Sequence, residues 1–260
     1  MTQRTRNKLV FTWMILACIC GLLCLVSASG VLVLELKETS FLEIVREGRG
    51  GITYIPGIFI LTVASIAMGI VFQFYFRKNP SYELFLFTLA ILALSFEGLR
   101  GVSLFITAAG RSDYYLMLIA RAIFFSRFFG AFCLFCSGLM AAGIQFQRIE
   151  VMLGACLALS LALATILPVD SSVLENAVTY RGSKMNDIVP ATIAFEAFAV
   201  MNYLLGGYAG TRKEYLYLAA AVFFVAAGKE LLFYAPGLVY TAAGCAGLGA
   251  GLILYLRRVH

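Results

Sequence analysis

The chain has 260 residues, of which 62% are hydrophobic and 13% charged, and its mean hydropathy is +0.91. This composition leaves too little polar surface for a soluble globular protein, so we expect an integral membrane protein. The formal net charge of +6 does not indicate a nucleic-acid partner, because the basic residues lie in short joints between apolar runs and form no patch on a soluble face.

Apolar runs of about 20 residues, long enough to cross a bilayer, follow one another along the whole chain. Backbone groups in hydrocarbon must be hydrogen-bonded within their own segment, so these runs are predicted to be helices and not strands. The predicted fold is all-α, one multi-pass transmembrane helical bundle over residues 1–260. The eight predicted spans are 9–36, 55–76, 82–108, 114–146, 150–168, 188–210, 214–235 and 238–256.

The first span resembles a secretory signal peptide, with a basic start, an apolar stretch and small residues near positions 27–29. However, the apolar run continues to Leu36, past the position where cleavage would occur. We therefore predict an uncleaved membrane anchor. Cleavage would leave seven helices and an external N-terminus.

Two of the polar joints between spans are longer than simple turns. In joint 37–54, Ser40 and Glu43 have the spacing of a capping box and Gly48 offers a stop, which predicts a short interfacial helix near residues 41–47. The other joint, residues 169–187, is predicted to be an exposed loop. Both joints fall on the same side of the predicted bundle.

Lys and Arg are divided unevenly between the two sides of the bundle. Taking the joints alternately, one side carries ten basic and three acidic residues, and the other carries six basic and eight acidic residues. Cytoplasmic joints carry an excess of Lys and Arg, so both termini are predicted to be cytoplasmic and both long joints extracytoplasmic. We expect the protein to reside in a cytoplasmic (inner) membrane or a plasma membrane, with the lipid bilayer as its first partner.

Seven ionisable side chains fall well inside the spans, all in the predicted outer half of the membrane or just below it. At a rise of 1.5 Å per residue, they lie about 8–20 Å from the outer ends of their helices. Each buried charge costs about 2.5–3.5 kcal/mol unless it meets a partner, a cavity or water, so we expect these side chains to face one another. Tyr203, seven residues after Glu196, is expected to extend the polar lining. The candidate binding residues are Glu97, Arg100, Arg121, Arg127, Glu196, Tyr203, Lys229 and Glu230.

The spacing of these charges also predicts how the helices are rotated. Glu97 and Arg100, three residues apart in the third span, can form an ion pair on one buried face. Lys229 and Glu230 are adjacent in the seventh span and point about 100° apart around the helix. One of these two is therefore expected to meet the sixth span, and the other the third or fourth span.

The predicted layer contains four cations and three carboxylates, which leaves one positive charge over. A surplus guanidinium at low dielectric favours an outward-side polar cavity that binds or transports a small anionic or zwitterionic solute, or a lipid headgroup. Three alternatives stay open. The charges could form an internal salt-bridge network that only fixes helix register; the protein could be a sensory or scaffold module acting through a partner protein; or it could be a membrane enzyme acting on lipid, with a buried glutamate as acid or base.

We expect no cofactor and no metal site. The chain has one histidine, the terminal His260, and Cys133-x-x-Cys136 has no second cysteine pair at matching depth. The seven cysteines all fall inside predicted spans, where free cysteine packs as a small apolar residue.

Small residues and prolines have clear positions in the predicted spans. In the last span, Ala243, Gly247 and Gly251 are four residues apart and predict close helix packing, either within the bundle or in a homo-oligomer. The five prolines fall at or near span ends, so we expect no span to be interrupted in its middle. Uninterrupted spans count against transporter folds that are built on discontinuous helices.

Overall fold

The computed structural model describes residues 2–38, 55–78, 81–108, 113–144, 148–167, 169–174, 180–182, 185–209, 214–234 and 238–259. The described part of the chain is dominated by helices, which we number in chain order. They are α1 (Gln3–Glu38), α2 (Ile55–Lys78), α3 (Tyr82–Ala93), α4 (Leu99–Ala108), α5 (Asp113–Ala141), α6 (Ile149–Ile166), α7 (Met185–Ala209), α8 (Glu214–Tyr234) and α9 (Leu238–Val259). A short 3-10 segment, Leu94–Gly98, joins α3 to α4.

The predicted all-helical architecture is confirmed. Because α3, the 3-10 segment and α4 follow one another without a break, the described residues form eight helical rods in the order of the eight predicted spans. Seven of these rods are, within their described residues, long and apolar enough to cross a membrane. The side of the membrane on which each end lies stays a prediction.

Exposed tyrosines lie near the helix ends, at the edges of the apolar outer surface of the bundle. Exposed tyrosines stand at the start of α5 (Tyr114 and Tyr115), the end of α7 (Tyr208), the start of α8 (Tyr217) and the start of α9 (Tyr240). Tyrosine is enriched where hydrocarbon meets water. These positions fall at both ends of the bundle, as expected for helices that cross a bilayer.

The helix α3 lies at the centre of the bundle, where every residue from Leu84 to Ala93 is buried. A helix that is apolar on all sides needs neighbours on all sides. It packs against α1, α2 and α5, while α5 also contacts α6 and α7, and α8 contacts α7 and α9. This arrangement brings the third, fourth, sixth and seventh predicted spans around one interior.

The third span is continuous from Tyr82 to Ala108, but it changes from α-helical to 3-10 geometry at Leu94–Gly98, which the sequence did not predict. Two serine hydroxyl groups donate to carbonyl oxygens at the start of this segment. Ser65 Oγ, on α2, donates to the carbonyl oxygen of Ile91 at 2.5 Å, and Ser95 Oγ donates to that of Leu92 at 2.7 Å. Both carbonyls would otherwise accept only from backbone N–H groups, so the hydroxyls compete with the α-helical pattern. Proline positions could not reveal this change of geometry.

The helix α5 ends at Ala141, five residues before the predicted end of its span. Gly143 adopts a φ of 93°, which only glycine adopts without strain. The amide of Gly143 donates to Met140 O at 3.0 Å and that of Ile144 donates to Leu139 O at 3.1 Å. This is the Schellman pattern of hydrogen bonds, which ends a helix.

The structure describes part of one of the two long joints and none of the predicted helix in the other. In joint 169–187, β1 (Val169–Leu174) and β2 (Tyr180–Gly182) pair antiparallel, so the predicted loop contains a hairpin. The interfacial helix predicted near residues 41–47 lies outside the described residues.

The glycine strip of α9 packs against α8 in the same chain. A Cβ atom at Gly251 would come within 2.6 Å of the Ala221 carbonyl oxygen, and Gly247 lies opposite Gly228. Two members of the predicted strip, Gly247 and Gly251, therefore permit close packing within the bundle. Ala243 is exposed, and a homo-oligomer through this strip stays a prediction.

Candidate functional site

Six of the eight candidate binding residues meet in one group of ion pairs, which we call the charge cluster. Five of the six are buried and one, Glu230, is half-buried. They come from the third span, α5, α7 and α8, as the spacing predicted. The members of the charge cluster are Glu97, Arg100, Arg127, Glu196, Lys229 and Glu230.

The adjacent residues Lys229 and Glu230 reach two different helices. Lys229 Nζ donates to Glu196 Oε1 on α7, and Arg127 Nη2 on α5 donates to both oxygens of Glu230, at 2.8 and 2.9 Å. Lys229 Nζ also lies 3.3 Å from Glu230 Oε1. The predicted division of these two side chains between the sixth span and the fourth span is confirmed, because neighbours on a helix point about 100° apart.

Glu97 is held more loosely than the other two carboxylates. Its Oε2 lies 3.9 Å from Arg100 Nη1, and its Oε1 lies 3.9 Å from Arg127 Nε. The predicted ion pair between Glu97 and Arg100 is thus present. However, Glu97 Oε2 accepts no hydrogen bond from any described residue. A buried polar atom left in this state costs about 1–3 kcal/mol.

Phe233 belongs to the same site and was missed by the sequence analysis. The guanidinium carbons of Arg100 and Arg127 lie 4.2 and 3.7 Å from the centroid of its ring. Its carbonyl oxygen also accepts a 3.3 Å hydrogen bond from Arg100 Nη2. An aromatic face attracts a desolvated guanidinium. The sequence feature that could have revealed Phe233 is its spacing. It lies four residues after Lys229 and three after Glu230, which places it on the same side of α8.

The charge cluster is electrically balanced, since it contains three cations and three carboxylates. Arg121, predicted as a fourth cation of the layer, makes no ion pair with any described residue, and its buried Nε has no hydrogen-bond partner there. It lies six residues before Arg127 on α5, which is about 9 Å along the helix toward the predicted outer end. The surplus positive charge is therefore displaced from the cluster.

Tyr203 lies in a second polar group. Its hydroxyl is 2.6 Å from Ser137 Oγ, which in turn donates to the Glu83 carbonyl oxygen at 3.0 Å. Tyr215 donates to Glu83 Oε1 at 2.9 Å, and the hydroxyl of Tyr255 is hydrogen-bonded to that of Tyr203. We call these five residues the tyrosine cluster. Glu83 is in the first turn of α3, so this group lies toward the predicted cytoplasmic side and not in the charged layer.

A small cavity adjoins the charge cluster. Its polar lining comes from Glu97, Ser126, Arg127 and Lys229, and apolar residues such as Leu134 complete the wall. The space is sufficient for about one water molecule. A solute of several heavy atoms therefore needs helix movement to enter.

Comparison of the chain with protein-family models, with curated proteins and with solved structures finds no match. Among the described residues, no group of three or more His, Cys, Asp or Glu side chains is placed to hold a metal ion. The geometry of the charge cluster is therefore the basis for a functional assignment.

Proposed function

We propose that this protein binds and transports a small zwitterionic or anionic solute, or a lipid headgroup, at the charge cluster. The observation that carries the proposal is that six ionisable side chains from four helical rods meet inside an apolar bundle. Charged residues within membrane spans are expensive, and they commonly mark the pathways of substrates and ions.

The balanced charge of the cluster favours a zwitterion over a bare anion. The ammonium and carboxylate groups of a zwitterion match the two halves of an ion pair such as Lys229–Glu196, so exchange leaves the site neutral. Neutrality matters because an uncompensated buried charge is strongly destabilising. An anion needs one further cation, and Arg121 is the nearest surplus cation along α5.

The 3-10 segment Leu94–Gly98 provides a place where the bundle can open. It lies in the middle of the third span and carries Glu97, and Arg100 follows it two residues later. Short 3-10 stretches inside helices often mark hinges. A hinge here would separate Glu97 from Arg127 and enlarge the adjoining cavity.

The test is thermal stabilisation of the protein in lipid nanodiscs by a panel of defined compounds. L-alanine and glycerophosphocholine represent zwitterions, succinate and inorganic phosphate represent anions, and choline is the cationic control. We expect a zwitterion or an anion to raise Tm in a saturable manner, because a ligand that binds only the folded state stabilises it.

The double variant Lys229→Met/Glu196→Leu removes one complete ion pair and keeps the cluster neutral, so it should abolish the rise in Tm. The matched control is Ser137→Ala/Tyr203→Phe, which removes a buried polar contact of the tyrosine cluster and should leave the rise intact. A panel without effect, or a rise that persists in the Lys229→Met/Glu196→Leu variant, would contradict the proposal. Either result is expected of a network that only fixes helix register.

We also propose that both termini face the cytoplasm, in an inner or plasma membrane. The excess of Lys and Arg at one end of the bundle supports this orientation. Single cysteines placed at Thr2 and at Asp170, in a variant without other cysteines, test it with a membrane-impermeant maleimide applied to intact cells. We expect labelling at position 170 only. Labelling at position 2 would show that the N-terminus is external and would contradict the proposed orientation.

A further inference from the structure

The three carboxylates of the charge cluster are held in different ways. Glu230 accepts hydrogen bonds from Arg127 at both oxygens, and Glu196 accepts one from Lys229. The cations nearest to Glu97 are each 3.9 Å away, and its Oε2 accepts no hydrogen bond from the described residues. Because Coulomb attraction falls with distance, Glu97 is the carboxylate whose charge the cluster compensates least.

Glu97 also borders the water-sized cavity, together with Ser126, Arg127 and Lys229. A water molecule in such a space can carry a proton to a carboxylate oxygen that has no other hydrogen bond. Glu97 lies in the 3-10 segment, where the helix is already irregular and can adjust to a change of charge.

Several charged and titratable groups surround this carboxylate. The 3-10 segment packs against α1, α2 and α5, and on the α1 and α2 side Cys20, Cys24 and the hydroxyl of Thr62 lie beside Gly98. The charged groups that act on Glu97 are Arg100, Arg127, Lys229 and Glu230. Three of these four are cations that already have another partner: Arg100 bonds the Phe233 carbonyl, Arg127 bonds Glu230, and Lys229 bonds Glu196.

We propose that Glu97 is a proton-binding site inside the membrane. A proton delivered through water in the cavity forms an O–H bond at Glu97 Oε2, and the carboxylate loses its negative charge. The hydronium ion that delivers the proton loses one O–H bond and remains as neutral water. Protonation turns the unsatisfied oxygen into a hydrogen-bond donor, and Ser126 contributes a hydroxyl group to the lining of the adjoining cavity.

Proton binding at Glu97 would couple to the entry of an anion. The protonated cluster has three cations and two carboxylates, so one negative charge on a ligand restores the balance. This coupling rests on the proposed function. The proton site itself does not, and it is tested without any solute, so the two proposals can fail independently.

The experiment is infrared difference spectroscopy of the protein in nanodiscs during a pH titration. We expect a carbonyl stretching band of a protonated carboxyl in an apolar environment, with a small downshift in deuterium oxide. The band should disappear in Glu97→Gln and stay in Glu83→Gln, which removes a half-buried carboxyl at the other end of the third span.

A second variant keeps the test decisive if Glu97→Gln does not fold. Glu97→Asp retains a carboxyl group on a shorter side chain, so the band should remain with a shifted frequency. A band that is unchanged in both variants would overturn the proposal. So would a wild-type protein that shows no such band over the pH range in which it stays folded.

Discussion

Arg127 on α5 and Glu230 on α8 are 103 residues apart in the chain, yet the Arg127 Nη2 atom lies 2.8 and 2.9 Å from the two carboxylate oxygens of Glu230. The same carboxylate is 3.3 Å from Lys229 Nζ, which bonds Glu196 on α7. The adjacent residues Lys229 and Glu230 thus join α8 to both α7 and α5. The contacts define how α5, α7 and α8 are rotated toward one another.

The first prediction concerns this ion pair. Arg127→Met leaves the Glu230 carboxylate buried with one cation fewer, so we expect the free energy of unfolding to fall by about 3–5 kcal/mol. The double variant Arg127→Met/Glu230→Leu should lose clearly less than the sum of the two single variants, because neither charge is then left alone. Unfolding by sodium dodecyl sulfate in mixed micelles measures both quantities.

The matched control for the ion pair is Arg148→Gln. Arg148 is exposed before α6, and its replacement should change the free energy of unfolding by no more than about 0.5 kcal/mol. Additive effects of the Arg127 and Glu230 substitutions would show that the two side chains do not interact in the membrane.

The second prediction concerns Gly98, at the end of the 3-10 segment. A Cβ atom there would lie 3.0 Å from Thr62 Oγ1, 3.1 Å from Cys24 Cβ and 3.2 Å from the Cys20 carbonyl oxygen. Gly98→Val therefore forces α1 and α2 away from the third span and should cost about 1–3 kcal/mol of stability. At Gly154 a Cβ atom meets nothing within 4 Å, so Gly154→Val is the control. Equal Tm values for the two variants would refute the close packing.

The third prediction separates the tyrosine cluster from the charge cluster. Tyr203→Phe removes the hydroxyl that shares a 2.6 Å hydrogen bond with Ser137. We expect a loss of about 0.5–1.5 kcal/mol in the free energy of unfolding. Tyr208→Phe, at an exposed position of the same helix, should have no effect. The infrared band assigned to Glu97 should be the same in both variants; its loss in Tyr203→Phe would mean that the two clusters act together.

The fourth prediction tests the packing of α6 on α5. The sulfur atoms of Cys136 and Cys156 are 3.7 Å apart, so a small movement brings them to bonding distance. In a variant that keeps only these two cysteines, oxidation by copper phenanthroline should remove two electrons and two protons and link the helices. Mass spectrometry of the digested protein detects the linked peptides. A variant that keeps only Cys24 and Cys156 should give no link, and failure of the first pair to link would contradict the packing.

The helical architecture could be predicted because the length and apolarity of each run depend on the sequence locally. The change to 3-10 geometry at Leu94–Gly98 could not be predicted, because the contact at its start, from Ser65 Oγ to the Ile91 carbonyl oxygen, involves another helix. The sequence of the third span does not reveal which of its carbonyl groups accepts a hydrogen bond from a neighbouring helix.

The members of the charge cluster could largely be predicted from the cost of burying charge, which forces ionisable side chains toward one another. The exact partners could not, because they depend on small rotations of each helix. Arg121 and Arg127 are both on α5, and only Arg127 is rotated toward Glu97 and Glu230. Tyr203 shares a face with Glu196, but it lies two turns farther along α7 and contacts Ser137 instead of the charge cluster.

The most direct test is a density map of the protein in native-lipid nanodiscs, recorded with and without the panel compound that raises Tm most. We predict that the six side chains of the charge cluster face one another in the untreated protein. With the compound present, we predict added density in contact with Arg127 or Lys229 and an opened Lys229–Glu196 pair. Charged side chains that face the acyl chains would contradict the site itself. A cluster that stays closed, with the compound bound elsewhere or not at all, would contradict the function proposed for it.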